Sequence, residues 1–272
     1  MSIVFKSLSS GSCGNCYFLA STDSQGRVQA GVAIDTGVSV RRLKEELRRH
    51  GYSPDDIHAV LLTHDHMDHI RSLGSWCKRL SKPVWTSGVL HSCLAGRTIS
   101  GEDFIACSRV LSEGDWNEVV PGHVKVRYFV VPHDATQTVG YAIVIDSYRF
   151  VIMTDIGAMT PEALSWASHA QTVVIESNYD YQMLINGSYT YELKMRILKG
   201  HGHLRNEECA EAIRHFYHEG LRNIFLCHLS ENNNTPEKAF ASSEQVLRDM
   251  GVTGKVALRT LPRQSASPLF IL

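Results

Sequence analysis

Residues 63–70 read THDHMDHI, placing three histidines and two aspartates in eight positions. His64 and His66 alternate as they would on an extended or turning backbone, so both rings can point the same way. Asp68 and His69 follow at once. Imidazole nitrogens and carboxylate oxygens together suit Zn, Mn or Fe better than Mg alone. The competing reading is a solvated polar loop. It weakens because three further stretches share one grammar, an apolar run that ends in a polar residue at the rim of a sheet: His133 in VVPHD, Asp155 in VIMTDIG and His228 in IFLCHLS. Taken singly, each of these is as readily structural as ligating. Taken together with residues 64–69, they supply enough side chains for two divalent ions. A carboxylate such as Asp155 can bridge such a pair, and water between two ions becomes hydroxide near neutral pH.

Rigid elements must present those side chains. Ile57, Val60, Leu61 and Leu62 form a buried strand that ends at Thr63. Ile70, Leu73 and Trp76 then carry the spacing of a helix that begins about there. Val4, Phe5 and Leu8 lead into a Ser/Gly stretch, and a strand resumes through Tyr17–Ala20. Val32 to Ile34 is another short strand, ending at Asp35. Residues 39–49 place Val40, Leu43 and Leu47 on one helical face. Runs at 84–86, 124–131, 139–146 and 150–154 read as strands, and 176–200 as a long polar, Tyr-rich segment. Helices are expected near 207–219 and 236–250, the second with Thr235 as N-cap and Pro236 at its first position. Strands in two clusters, each followed by helices, imply sheet-on-sheet packing covered by helices.

Composition narrows the function classes. The 272 residues carry a formal charge of -1 and are 43% apolar, the profile of a globular chain with a sizeable core. Such a balance argues against coating nucleic acid by bulk charge and leaves room for a local basic groove. Seven cysteines at irregular spacing, with no apolar run long enough to span a membrane and no signal peptide, point to a reduced, cytoplasmic protein without a membrane partner. Cys13-Gly14-Asn15-Cys16 has redox-motif spacing but lacks the strand-to-helix context of a thioredoxin-like site.

The chain resembles metallo-β-lactamase-fold hydrolases through THDHMDH (63–69), VPHD (131–134), TDIG (154–157) and CHLS (227–230). It is more closely similar to the YycJ/WalJ-like exonuclease branch through SLSSGSCGN (7–15), AIDTG (33–37), ESNYD (176–180), GHLRNEE (202–208) and HLSENNNTPEKA (228–239). The resemblance spans nearly the whole chain and implies one domain over residues 1–272, an α/β fold built as a four-layer αββα sandwich. It implies that His64, His66 and His133 hold one metal, that Asp68, His69 and His228 hold the other, and that Asp155 bridges them. Two positions depart from the family pattern: Tyr179 stands where a His often precedes the Asp, and Arg205 replaces a Ser.

For substrate, Ser9, Ser10, Gly11, Ser12 and Gly14 read as a flexible loop whose N–H groups could nest an anion, with Asn15 beside it. His203 and Arg205 precede a helix and would meet phosphate there. Lys194, Arg196, Lys199, His201 and Arg205 form a basic stretch, and Tyr179, Tyr181, Tyr189 and Tyr191 could stack on bases. His91 and His123 are assigned local hydrogen bonds, and Cys227 the core. These readings converge on a phosphodiesterase acting on nucleic acid, with Asp68 orienting water and His203 serving the leaving group. The resemblance further implies 5′-to-3′ exonuclease action on DNA. The alternatives are a small-molecule metallo-hydrolase of the same superfamily, acting on a cyclic phosphodiester, thioester or lactam, and a non-catalytic interaction protein retaining the fold.

Overall fold

A computed structural model describes residues 1–97, 101–198 and 202–272. Its first sheet contains β1 (Ser2–Gly11), β2 (Gly14–Thr22), β3 (Val28–Ile34), β4 (Ala59–Leu61), β5 (Val84–Thr86) and β6 (Ser108–Val110). Its second contains β7 (Asn117–Val120), β8 (Val124–Val131), β9 (Thr138–Ile145), β10 (Tyr148–Met153), β11 (Thr172–Glu176), β12 (Asn223–Cys227) and β13 (Ala257–Thr260). The last strand, β14 (Phe270–Ile271), returns to pair with β1. The strand orders are β14-β1-β2-β3-β4-β5-β6 and β13-β12-β11-β10-β9-β8-β7.

Both sheets are mixed in the same way. β14 to β3 run antiparallel and β3 to β6 parallel; β7 to β10 run antiparallel and β10 to β13 parallel. Parallel strands deliver their carboxyl ends to one rim, which is where open α/β sheets bind ligands.

Alternation along the strands sorts side chains into three cores. Phe5, Tyr17, Val32, Tyr141, Phe150 and Phe225 lie between the sheets. The outer face of the first sheet is covered by α1 (Val40–Arg48), α3 (Leu73–Leu80), α4 (Gly88–Ala95) and α5 (Gly101–Cys107), whose Leu43, Leu47, Trp76, Leu94 and Phe104 are buried. The outer face of the second is covered by α6 (Pro161–Ala167), α9 (Asn206–Phe216) and α10 (Pro236–Asp249) through Ala163, Ile213, Phe216 and Leu247. The result is the expected αββα sandwich. Thr235 caps α10 by accepting from Lys238 N, with Pro236 in the first turn.

Three local expectations are corrected. The histidine motif feeds a single short turn of helix, α2 (Met67–Ile70), before α3 begins. The 176–200 segment is not simply polar chain, because α7 (Tyr181–Asn186) and α8 (Tyr191–Arg196) form within it, capped by Asp180 and Thr190. Ser9, Ser10 and Gly11 are buried strand residues, and only Ser12 and Cys13 are exposed at the hairpin tip. Ser10 N donates to Arg263 O at 3.0 Å, so that amide is not free to nest an anion. No helix of the described residues is long and apolar enough to cross a membrane.

Candidate metal centre

The sequence-predicted ligands meet at one rim, from both sheets. His64, His66, Asp68 and His69 leave the end of β4; His133 follows β8, Asp155 follows β10 and His228 follows β12. Asp155 and His228, with Asp35 after β3, adopt left-handed backbone at φ 55°, 50° and 62°. That conformation is strained for a residue with a Cβ, and it turns each side chain off the strand path toward the rim. Gly37 lets the β3 turn close, because a Cβ there would sit 1.8 Å from Asp68 O and 2.4 Å from Asn15 N.

Two ligand-capable triplets result, His64–His66–His133 and Asp68–His69–His228, and Asp155 lies with members of both sets. The first three rings are separated by 4.8, 5.2 and 5.0 Å between centroids. His133 Nδ1 donates to Gly202 O at 2.6 Å, and His66 Nε2 donates to Asp134 O at 3.1 Å. The remaining nitrogens, His133 Nε2 and His66 Nδ1, then face each other at 3.3 Å with lone pairs converging. His64 Nε2 and His228 Nε2 are buried with no hydrogen-bond partner among the described residues. Converging lone pairs and orphaned buried nitrogens are what a bound cation satisfies, so the donor set fits metal.

Carboxylates behind the rings fix their orientation. Asp35 Oδ2 accepts from His69 Nδ1 at 2.7 Å and from Thr63 Oγ1 at 2.9 Å, aiming His69 Nε2 at Asp155 Oδ2, 3.1 Å away. Glu176, fully buried, accepts from His228 Nδ1 at 3.0 Å and His203 Nδ1 at 2.8 Å through one oxygen. Its other oxygen accepts from Ile156 N and Leu204 N. Sequence reasoning assigned neither Asp35 nor Glu176 to the site. Carboxylates that accept a ligand's second N–H tune both affinity and tautomer. Asp35→Asn should lower metal affinity about 10- to 100-fold with an unchanged circular dichroism spectrum. Titration against a chromogenic chelator measures this, and wild-type affinity would show that Asp35 only packs.

The electrostatics follow from burial and neighbours. Burial works against charge on His69, but Asp155 and Asp35 outweigh it and raise its pKa to about 10. His228 is likewise opposed by burial yet lifted well above the ordinary value, first by Asp155. Burial and the adjacent His69 instead hold His64 well below it. Burial would raise the Asp155 carboxyl, but His228 and His69 pull it well below the usual range. At pH 7 the metal-free centre therefore carries protons that a metal must displace. Metal binding should release about one to two protons at pH 7, and affinity should rise with pH. Calorimetry in buffers of different ionisation enthalpy counts them; zero release would refute the charge assignment. By the same linkage the raised pKa of His69 stabilises the metal-free fold fully below about 6.5, and that contribution is lost as pH climbs toward about 10.

The other predicted residues divide. His203 sits beside the centre, its ring 5.0 Å from His133 and 5.4 Å from His228. Burial lowers its pKa, and Glu176 more than compensates, leaving it raised. Asn15 is fully buried, not at a substrate surface, and donates to Asp68 Oδ2 and Gly11 O, both at 3.1 Å. Ser10 Oγ accepts from His228 N at 3.0 Å, and Ser9 Oγ donates to Arg263 O at 2.8 Å. Asp65, inside the motif, turns away to Arg97 and Thr136.

Arg205 pairs with Glu208 at 3.2 Å and does not line the cavity beside His203, whereas Arg196, Tyr189 and Ser12 do. Lys194 donates to the carbonyls of Ile185 and Gly187 and keeps its charge, whereas Arg196 pairs with Asp134, so two described cations of the expected basic stretch, Arg196 and Arg205, are ion-paired. Lys199 and His201 lie outside the described residues. Of the four tyrosines, Tyr179 is buried and Tyr191 exposed. His91 bonds Ser108, His123 bonds Asp146 and Cys227 is buried, as expected.

Residues 31–228 match the family described as the beta-lactamase superfamily domain, and the chain belongs to that superfamily. With this centre at its rim, it is a metallo-hydrolase. Exodeoxyribonuclease WalJ of Streptococcus pneumoniae is 29% identical over 264 residues, spanning 96% of this chain and 95% of its own length. Exodeoxyribonuclease YycJ of Bacillus anthracis is 30% identical over 254 residues, 92% of this chain and 91% of its own. Among solved structures, the metallo-beta-lactamase fold protein YhfI of Bacillus subtilis superposes with a TM-score of 0.70 at 12% identity, covering 98% of this chain and 99% of that one. Unliganded yeast PDE1 gives 0.70 at 12% identity, with 99% and 100% covered; both likenesses concern the fold.

Proposed function

We propose that this chain is a cytoplasmic, two-metal exodeoxyribonuclease that degrades DNA from the 5′ end. The observation that carries the reading is the His203–Glu176 pair standing beside two ligand triplets, with Asp155 grouped with His64 of one and His69 of the other. The curated relatives named as exodeoxyribonucleases support the substrate class, and seven free thiols support a reducing compartment.

His64 Nε2, His66 Nδ1 and His133 Nε2 would hold one ion of zinc, manganese or iron; Asp68, His69 and His228 would hold the second, with Asp155 between. Bound ions at such a centre supply an activated water at neutral pH and neutralise charge on a phosphoryl oxygen. The chain's own residues do the rest. Asp68, held by Asn15 and only 18% exposed at its side chain, orients the attacking water and takes its proton. His203 is fixed by Glu176 through Nδ1, which leaves Nε2 to donate a proton to the departing oxygen. Ser12, at the hairpin tip, lines the cavity beside His203 and offers a hydroxyl to phosphate.

The test is end-labelled DNA and RNA, single-stranded and duplex, with a 5′-phosphate or 5′-hydroxyl, incubated with manganese or zinc and followed over time. The reading expects mononucleotides released from the 5′ end of DNA. Release from the 3′ end, cuts in closed circles, or hydrolysis of a small cyclic phosphodiester alone would overturn it.

A further inference from the structure

One acidic residue of the THDHMDHI stretch takes no part in the centre. Asp65 stands between His64 and His66, yet it belongs to none of the side-chain groups that could hold an ion among the described residues. The backbone at His66 is extended, with φ -71° and ψ 148°, and side chains along extended backbone alternate. His64 and His66 therefore face the centre, and Asp65 is sent to the other side, where it is 4% exposed. A carboxylate buried that far is costly unless its oxygens are matched.

They are matched, and chiefly by one residue of the other sheet's loops. Asp65 Oδ1 accepts from Thr136 N at 3.1 Å, and Oδ2 accepts from Thr136 Oγ1 at 2.7 Å. Arg97, which follows α4, pairs with the same Oδ2 and donates through Nη1 to Asp65 O at 2.8 Å, so one guanidinium holds both side chain and backbone. Thr136 comes three residues after His133. The same two segments meet again where His66 Nε2 donates to Asp134 O at 3.1 Å and Val139 N donates to Thr63 O at 2.9 Å. The turn after β4 is thus fastened to the loop between β8 and β9 on either side of the Asp65 carboxylate.

We infer that Asp65 is a positioning residue for one of the two metal sites: by gripping Thr136 it sets where His133 stands relative to His64 and His66. Ligands must be held to within about 0.5 Å of productive geometry, and rings carried by two different sheets need such a tie. The other triplet also draws on both sheets, but its far member, His228, is held by Glu176, Ser10 and Asn178 and makes no bond to the Thr136 loop. Loss of the Asp65 carboxylate therefore falls on the three-histidine site alone. This rests on the two-metal reading of the centre and is independent of the substrate.

Asp65→Asn keeps the volume, but its NH2 faces the Arg97 and Thr136 donors, so the tie loosens. Thr136→Val is milder: it removes Oγ1 and leaves the backbone N–H. Both are made in the full chain and in two backgrounds that each keep one triplet, Asp68→Ala for the three histidines and His66→Ala for Asp68, His69 and His228. Chelator-stripped protein is titrated with cobalt(II). Affinity is read by competition with a chromogenic chelator, and ligand geometry by the visible absorption bands of the bound ion. Asp65→Asn should weaken binding in the Asp68→Ala background about 10- to 100-fold, the range for residues that orient ligands from behind, and alter the bands. In the His66→Ala background affinity and bands should stay as they are. Thr136→Val should give the same pattern to a lesser degree, and the double variant should fall little further than Asp65→Asn, because both act through one contact. Equal weakening in both backgrounds, or a lower melting temperature with unchanged affinities and bands, would make Asp65 a buried ion-pair residue only and overturn the inference. If Asp65→Asn does not fold, Thr136→Val decides by the same comparison. Were the unaltered chain to bind a single ion, the two-metal reading would fail, while weakening of that ion in Asp65→Asn with altered bands would still support the tie.

Discussion

Asp155→Asn is expected to reduce hydrolysis roughly a thousandfold, the factor that about 4 kcal/mol of lost charge stabilisation produces. Asp155 is 2% exposed, with one oxygen 3.1 Å from His69 Nε2 and the other 3.8 Å from His133 Nε2, so it faces both triplets at once. The substitution keeps the shape, and the amide can still accept from Thr154 Oγ1, which lies 2.7 Å from Oδ2. What goes is the negative charge between the two sets. Elemental analysis should therefore find fewer than two metals per chain, while the chelated protein keeps its circular dichroism spectrum and melts lower at pH 7, because His69 and His228 lose the carboxylate that holds their protons. A variant that retained both metals and wild-type turnover would remove Asp155 from the centre.

His203→Ala should slow turnover by about 10²- to 10⁴-fold, the usual range for a lost general acid, with metal content unchanged. Glu176→Gln, assayed at saturating metal because the same oxygen also accepts from His228, isolates the charge that holds His203. Because burial lowers and Glu176 raises the His203 pKa, removing the charge lets burial prevail and the pKa falls. A general acid is active while protonated, so the alkaline limb of the rate profile should move to lower pH in Glu176→Gln and disappear in His203→Ala. A substrate with a leaving group that needs no proton, such as a 4-nitrophenyl phosphodiester, should recover much of the loss in His203→Ala. An equal loss on both substrates would make His203 a structural residue.

The candidate metal ligands are legible because their signal is local. Five polar residues crowd one strand end in THDHMDHI, and the same apolar-run-then-ligand grammar recurs at His133, Asp155 and His228. Asp35 in AIDTG and Glu176 in TVVIE obey that grammar too and could have been drawn from it. Their roles are tertiary, since a carboxylate behind an imidazole 34 or 52 positions away leaves no spacing to read. The sandwich is readable from strand clustering, yet by composition the serine-rich stretch before Gly11 reads as a loop. Serines are poor markers of a strand, but here their hydroxyls are matched inside it: Ser10 with Tyr17 at 2.8 Å, Ser9 with Arg263. α7 and α8 escaped notice because six-residue helices carry too few apolar positions to show a period. Asp180 and Thr190 were their only visible marks.

The ligand set is divided between the sheets. Four candidate ligands follow β4 of the first, and His133, Asp155 and His228 follow strands of the second. Neither half of the chain can assemble the pair of triplets by itself. Metal affinity is thus a late property of folding, absent from any intermediate in which only one sheet has formed, and a half-made molecule on the ribosome is a hydrolase without a blade. Once bound, the ions act as a clasp across the seam. They should slow the parting of the two sheets more than the fraying of either, so that hydrolytic competence and the closure of the sandwich are one event.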